Sequence, residues 1–560
     1  MTTADASRTA PAADFPISWD DPAQQDAAWF QDVMHNPLPV SPLTATLFQP
    51  AFAEGAGRSI ARLMLPVDRI DISVQNGYVY LSTHPISTDP AVIEARFPEA
   101  QRITMELGPT VLEDWRTTFE PDVLARARRV MDFQADGKSA ADIARFVVGL
   151  RTDLVDVWDI HMRVNIPPMS AVFALEEIVS GALGEDAVGD ARQLLQGFDN
   201  KSVETGRAMW ALSRWIRSHE SLRAAVMSSR VRDGALEIES TADTPEFEKR
   251  WQAFLDAYGW RSDQFFELAH KSWYEDPSTP LTQLKGYLGM DDAKDPFAIH
   301  ARHAEQRDAL AGALEARLPD ELRPAFRQIL QMAQQYIPIA EDHNFTIDQK
   351  FTAVCRHATL KLGRRLVDDG VLADPEDVFY LTFDEVRAIA DAASAAGLAA
   401  AVRQRRREHT RQASMQAPLM IGTPPPADAP SDPIVAKFFG VGLVPSVDAN
   451  VVTGHPCSRG VVTGVAKIIP TLDDAGKLQP GDILVCRMTM PAWTPLFGIA
   501  GAVVADSGGP LSHCAIVARE YGIPCVAGTV NGTAVLRDGM RVRVDGGTGI
   551  VAVLTERPRG

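Results

Sequence analysis

Between about residue 89 and residue 415, apolar side chains recur at three- and four-residue steps, the spacing of helices that bury one face. The pattern predicts helices over 126–133, 140–164, 169–184, 202–228, 246–258, 296–336, 345–370 and 383–411, with prolines and glycines punctuating between them. A period of two appears over 68–85, DRIDISVQNGYVYLSTHP, on both sides of Asn76-Gly77. Asn-Gly between alternating runs signals a hairpin, and this is the one firm β element expected before residue 450. Trp19 and Trp29 flank a short predicted helix near the start.

The pattern changes near residue 451. VVTGVAKII, GDILVCRM and AGAVVAD read as strands, and GMRVRVDGGTGIVAVL as a closing hairpin. Between them lies ADSGGPLSHCAIVAREYGIPCVAGT, residues 505–529. Helical spacing runs from His513 to Tyr521, Gly522 and Pro524 end it, and Ser512 precedes it as an expected N-cap. His513 therefore falls in the first turn of a short helix, directly after the loop of Gly508 and Gly509. Free backbone N–H groups and the positive helix end favour an anion there. The imidazole is either a polar residue beside a cap or a nucleophile that takes a phosphoryl group.

The fold class expected is multi-domain α+β: a large, mostly helical domain with a small β-hairpin element, followed by a small α/β domain. The boundaries expected are a disordered tail over 1–14, the helical domain over 15–416, a proline-rich linker over 417–450 and the α/β domain over 451–560. The triple proline in APLMIGTPPPADAPSDP favours an extended strut. Against 55 Lys and Arg stand 73 Asp and Glu, a net charge of −18 that argues against a nucleic-acid partner. Five cysteines without ligand spacing point to no metal site and to a reducing, cytoplasmic setting. No signal peptide and no stretch of roughly 20 apolar residues is apparent, so no membrane association is expected.

The wording of residues 508–524, GG-x-x-SH-x-AI-x-AR-x-x-GIP, resembles the phosphohistidine signature of the mobile domain in phosphoenolpyruvate-utilising enzymes. That group includes rifampin phosphotransferase, phenylphosphate synthase and dikinases acting on 4-hydroxyphenyl ketones. TMPAWTPLF, residues 489–497, looks like its threonine-proline segment, and the N-terminal W…W…H…SPL pattern, YGWRSDQFFELAHKSWYEDP and RHATLKLGRRLVDDGVLADPEDVFYLTFDEV resemble its substrate-binding domain. The resemblance implies that His513 carries the phosphoryl group on a swivelling domain, with Ser512, Gly508 and Gly509 binding its oxygens. Arg519 is either a phosphate or partner contact or a helix-surface arginine.

In that family an ATP-grasp unit supplies the β-phosphoryl group, and no counterpart is found in these residues, nor a pyruvate-handling barrel after the histidine domain. The resemblance thus implies a separate ATP-grasp protein as partner, holding ATP and Mg²⁺. The acceptor implied is the hydroxyl of a small aromatic compound, with a rifamycin-type antibiotic or a non-catalytic phosphocarrier role as alternatives. Transfer to a hydroxyl needs a base and positive charge. The candidates are His161, His343, Glu341, Asp342 and Glu275 for the base and Arg163 and Arg261 for the charge.

Overall fold

The computed structural model describes residues 15–392, 396–424, 448 and 450–554. The expected tail over 1–14 and most of the proline-rich linker lie outside these residues. The chain divides into two compact units that cut across the expected boundaries. The first contains Met1–Pro167, Gln264–His270 and Thr346–Pro430; the second contains Pro168–Asp263, Lys271–Phe345 and Ser431–Gly560.

In the first unit the expected hairpin is present, as strands β2 (Val67–Gln75) and β3 (Tyr78–Pro85), with positive φ at both Asn76 and Gly77. It belongs to a four-stranded sheet in the order β2-β3-β1-β6, completed by β1 (Ala28–Gln31) and β6 (Met420–Gly422). These two strands are corrections. The region of β1 lacks a clear alternation, and β6 begins the segment read as linker. A core of Phe15, Trp29, Tyr78, Tyr80 and Ile421 fixes them. The segment between Trp19 and Trp29 forms a 3-10 turn, Pro22–Asp26, with a capping box from Asp21.

Helix α1, Ala140–Leu183, runs unbroken through Pro167-Pro168, where two helices were expected. Val164, Ile166, Met169 and Val172 around the prolines are buried, and their packing offsets the lost backbone hydrogen bonds. By length and composition alone α1 is apolar enough to cross a membrane, contrary to the expectation of no such stretch; half of its most apolar window is buried inside the protein.

Two long helical predictions in the second unit are each split. Residues 202–228 become α2 (Lys201–Arg217) and Glu220–Ser228; residues 296–336 become Pro296–Arg317 and α3 (Arg323–His343), parted at Pro319. The expected break after α3 is instead a π-helical stretch, Asn344–Phe351, that leads into Thr352–Asp368. A short ribbon of β4 (Arg230–Arg232) and β5 (Ala235–Glu237) was also not foreseen.

The C-terminal strands form one eight-stranded sheet in the order β7-β14-β13-β9-β10-β11-β12-β8. Its members are β7 (Val451–Thr453), β8 (His455–Ser458), β9 (Val461–Ile468), β10 (Ile483–Cys486), β11 (Ala502–Ala505), β12 (Cys525–Ala527), β13 (Arg541–Asp545) and β14 (Ile550–Val553). Strands β9 to β12 are parallel and the outer strands antiparallel. β10 and β11 are wholly buried, which explains their uninterrupted apolar runs. The core on this sheet is aliphatic: Val452, Ile483, Val504, Val526, Val544 and their neighbours.

Candidate active site around His513

Strand β11 ends at Ala505, and the chain turns through Gly508 and Gly509 into helix α4, His513–Tyr521. Gly508 has φ +103°, and a Cβ on it would lie 2.8 Å from the Ser512 hydroxyl, so both conformation and space demand glycine. Ser512 occupies the N-cap position but does not cap. Its hydroxyl donates to the Gly509 carbonyl at 2.8 Å and closes the loop on itself. Gly522 ends the helix at φ +64°, as the sequence predicts.

His513 leaves this helix start with 11% of its side chain exposed. The Thr489 hydroxyl lies 3.2 Å from Nδ1 and the Thr494 hydroxyl 3.2 Å from Nε2, so both ring nitrogens have a hydroxyl partner. Phe497 meets the ring edge-on. Within the segment 489–497 a 3-10 turn, Pro491–Trp493, leads into the helix Thr494–Ile499, so Thr489 precedes the turn and Thr494 opens the helix. Burial, aided by the Arg261 guanidinium, lowers the imidazole pKa to about 3. The ring is therefore neutral at neutral pH, the form with a lone pair to attack phosphorus.

Opposite His513 stand Arg261 and Glu341. Arg261 is fully buried, and its Nε and Nη2 donate to the Thr205 hydroxyl at 3.2 and 2.9 Å. Nη2 also donates to the Lys201 carbonyl at 2.9 Å, and the guanidinium lies over the Phe345 ring. Its Nη1 is buried with no hydrogen-bond partner. Burial lowers this guanidinium to about 10, so it still carries its charge at neutral pH. A buried cation with an unused donor is costly unless an anion visits it.

Glu341 lies near the end of α3. Its carboxylate accepts from the Ser202 hydroxyl, and Oε2 is 3.9 Å from His513 Nε2. Since the imidazole is neutral, that approach is not an ion pair. Burial raises the Glu341 carboxyl above its usual range. Asn200 caps α2 by accepting from the Ser202 and Val203 N–H groups, and Asp342 accepts from the Lys201 N–H at 2.9 Å. The bonds from Lys201 to Asp342 and from Ser202 to Glu341 hold the first turn of α2 against the end of α3, and Thr205 on the same helix meets Arg261.

Of the residues proposed from the sequence, the second unit brings His513, Arg261 and Glu341 together. Asp342 serves the start of α2. His343 Nδ1 donates to the Ile339 carbonyl one turn back, and Glu275 accepts from the Ser272 N–H at 3.2 Å. His161 and Arg163 belong to the first unit, where His161 Nδ1 is 2.9 Å from Asp348 and Arg163 lies over Phe119.

Arg519 is neither on the helix surface nor beside the His513 ring nitrogens. It is buried, and Nη1 donates to the Cys457 and Pro510 carbonyls at 3.0 and 2.9 Å, tying α4 to strand β8 and to its own preceding loop. Thr489, Thr494, Ser202 and Thr205 were missed. The threonine-proline segment signalled the first two, but no sequence signal distinguished Ser202 or Thr205 from ordinary helix residues.

Two family models match parts of this chain. Residues 161–341 match the fourth domain of rifampicin phosphotransferase, and residues 478–549 match the mobile domain of PEP-utilising enzymes. A chondramide synthase of Chondromyces crocatus is 33% identical over 97% of this chain, which covers 14% of that protein. An uncharacterized phosphotransferase of Bacillus subtilis, YvkC, is 29% identical over 92% of the chain and 60% of its own length. A rifampicin phosphotransferase of Streptomyces sviceus is 26% identical over 84% of the chain and 51% of its own length. The chain thus spans less than two thirds of each of these relatives. Through the mobile domain around His513 and the rifampicin-phosphotransferase-type domain over 161–341, the chain is similar to the PEP-utilising enzymes.

Proposed function

We propose that this chain is the phosphohistidine-carrying and acceptor-binding part of an ATP-dependent dikinase. The overall reaction is ATP + acceptor–OH + H₂O → AMP + phosphate + phospho-acceptor. The observation that carries this reading is the neutral His513 imidazole set opposite a buried Arg261 whose Nη1 has no partner. A separate ATP-grasp protein holding ATP and Mg²⁺ delivers the β-phosphoryl group to His513, and the histidine domain then swivels between that protein and the acceptor site.

In the second step the acceptor hydroxyl oxygen attacks phosphorus while the P–N bond to His513 breaks and its electron pair returns to the ring. Arg261 Nη1 donates to the phosphoryl oxygens as charge builds on them. Glu341, whose carboxyl pKa is raised by burial, accepts the hydroxyl proton. The Ser202 hydroxyl orients that carboxyl. The acceptor proposed is the phenolic hydroxyl of a small aromatic compound, in keeping with the phenylphosphate synthase resemblance.

The test is a reconstitution of this chain with an ATP-grasp partner, ATP, Mg²⁺ and a panel of phenols, followed by mass spectrometry. AMP together with a phosphorylated phenol is expected. ATP turnover by the purified chain alone would refute the two-component reading, and phosphorylation of no phenol despite a phosphorylated His513 would refute the acceptor.

A further inference from the structure

A cleft in the same unit is lined by Pro510, Arg519 and Gly522, at and around helix α4, and does not include His513. It encloses about 470 Å³, within the usual range for small-molecule sites. Its basic lining comes from Arg192 and His303 on the helical side and from Arg459 and Arg519 on the histidine domain. Arg519 offers the strongest pointer to a ligand. It is 4% exposed, only its Nη1 is engaged, and its Nε and Nη2 are buried without partners. Its guanidinium pKa is lowered first by burial and also by the nearby Arg192.

The remaining charges are mostly neutralised. Arg192 Nε pairs with Glu176 at 2.7 Å, and its Nη1 donates to the Pro456 carbonyl at 3.1 Å. Arg459 pairs with Asp190. The carboxylates of Glu185 and Asp186 also border the cleft, both on exposed residues. Burial lowers the His303 imidazole to about 4, so His303 is neutral at neutral pH and adds a hydrogen-bonding group without charge. The floor is therefore a cation with two spare donors, flanked by two more guanidiniums.

We infer that this cleft binds a phosphate-bearing dianion, such as orthophosphate or a phosphate monoester, and that the bound anion clamps the histidine domain onto the helical segment 185–196. Guanidinium groups recognise phosphate oxygens through paired N–H donors. Because Arg192 comes from one side and Arg459 and Arg519 from the other, an anion held by all three binds the docked arrangement better than an open one. It shifts the population by that difference in affinity. The cleft does not depend on the role proposed for His513. The dianions most available under that role would be the reaction's own products, phosphate, AMP and the phosphorylated acceptor.

The experiment is calorimetric titration of the full chain with orthophosphate, AMP and phenyl phosphate as separate probes, repeated on Arg459→Gln, Arg192→Lys and Arg261→Gln. Arg459 has 42% of its side chain exposed, so its replacement puts no burden on folding. Saturable binding of at least one probe is expected, weakened about tenfold in Arg459→Gln and in Arg192→Lys, which keeps the charge but loses the fork. Binding should persist in Arg261→Gln, which alters only the His513 site. Which probe binds tightest identifies the source of the dianion. Binding by no probe up to about 10 mM, far weaker than a millimolar site, would overturn the inference. So would binding that survives both cleft variants or vanishes in Arg261→Gln.

Discussion

Replacing Arg261 by Gln is the perturbation whose consequences the structure specifies most fully. The wild-type guanidinium makes three hydrogen bonds to Thr205 and Lys201 and leaves Nη1 without a partner, the donor proposed above for the phosphoryl group. A glutamine amide reaches some of those acceptors but removes the charge and the free donor. Losing one donor aimed at developing oxyanion charge costs about 10²–10³ in rate, or roughly 3–4 kcal/mol of barrier. The cost to stability is smaller, since hydrogen bonds worth about 1 kcal/mol each are partly offset by relief of guanidinium desolvation.

The same change acts on His513. Its imidazole pKa, held near 3 by burial first and by Arg261 second, should rise when the positive neighbour goes, because the protonated ring is then less disfavoured. Burial remains, so the rise stops short of the ordinary 6.5. Rapid-quench transfer from phosphorylated chain to acceptor reads the first effect. A ¹⁵N-histidine NMR titration of the chain alone reads the second and needs no partner. Transfer within about threefold of wild type, an energy change of less than 1 kcal/mol, together with an unmoved His513 titration would refute the role assigned to Arg261.

Three further outcomes follow from the same geometry. Glu341→Gln should slow transfer to the acceptor by about 10²–10⁴ while leaving phosphohistidine formation intact, which quench-flow separates into its two steps. Gly508→Ala should cost about 1–3 kcal/mol in chemical denaturation, from the left-handed backbone and the crowding of Ser512. Glu520, buried and accepting from the Gly197 N–H, has its carboxyl raised to about 8 from 4.5. Its contribution to stability is thus complete below 4.5 and is lost as pH rises through 8, with a slope of at most about 1.4 kcal/mol per pH unit. Denaturation curves of Glu520→Gln across that window should lack this slope.

The sequence carried the histidine helix almost completely, because its start, its stop and the Gly-Gly turn are all local. The Asn76-Gly77 hairpin was legible for the same reason. What escaped depends on tertiary packing. Pro167-Pro168 reads as a break, yet buried neighbours on both sides keep α1 continuous. β6 is only three residues long and exists because Ile421 packs against Trp29 and Tyr80. In the site, Arg261 and Glu341 were two of seven acceptor-side candidates, and no spacing could select them. They converge because Asp342 and Glu341 of α3 accept from Lys201 and Ser202 of α2, a contact across roughly 140 residues of sequence. Ser202 and Thr205 carry no motif, and their roles exist only in that contact.

The central claim is that His513 carries the phosphoryl group between ATP and acceptor. The most direct measurement is incubation of this chain and the ATP-grasp partner proposed for it with ATP labelled at the β-phosphorus, followed by peptide mapping at alkaline pH. The account predicts acid-labile label on the peptide containing His513, chased off by acceptor and absent in His513→Ala. Phosphorylation of the acceptor that persists in His513→Ala would contradict it.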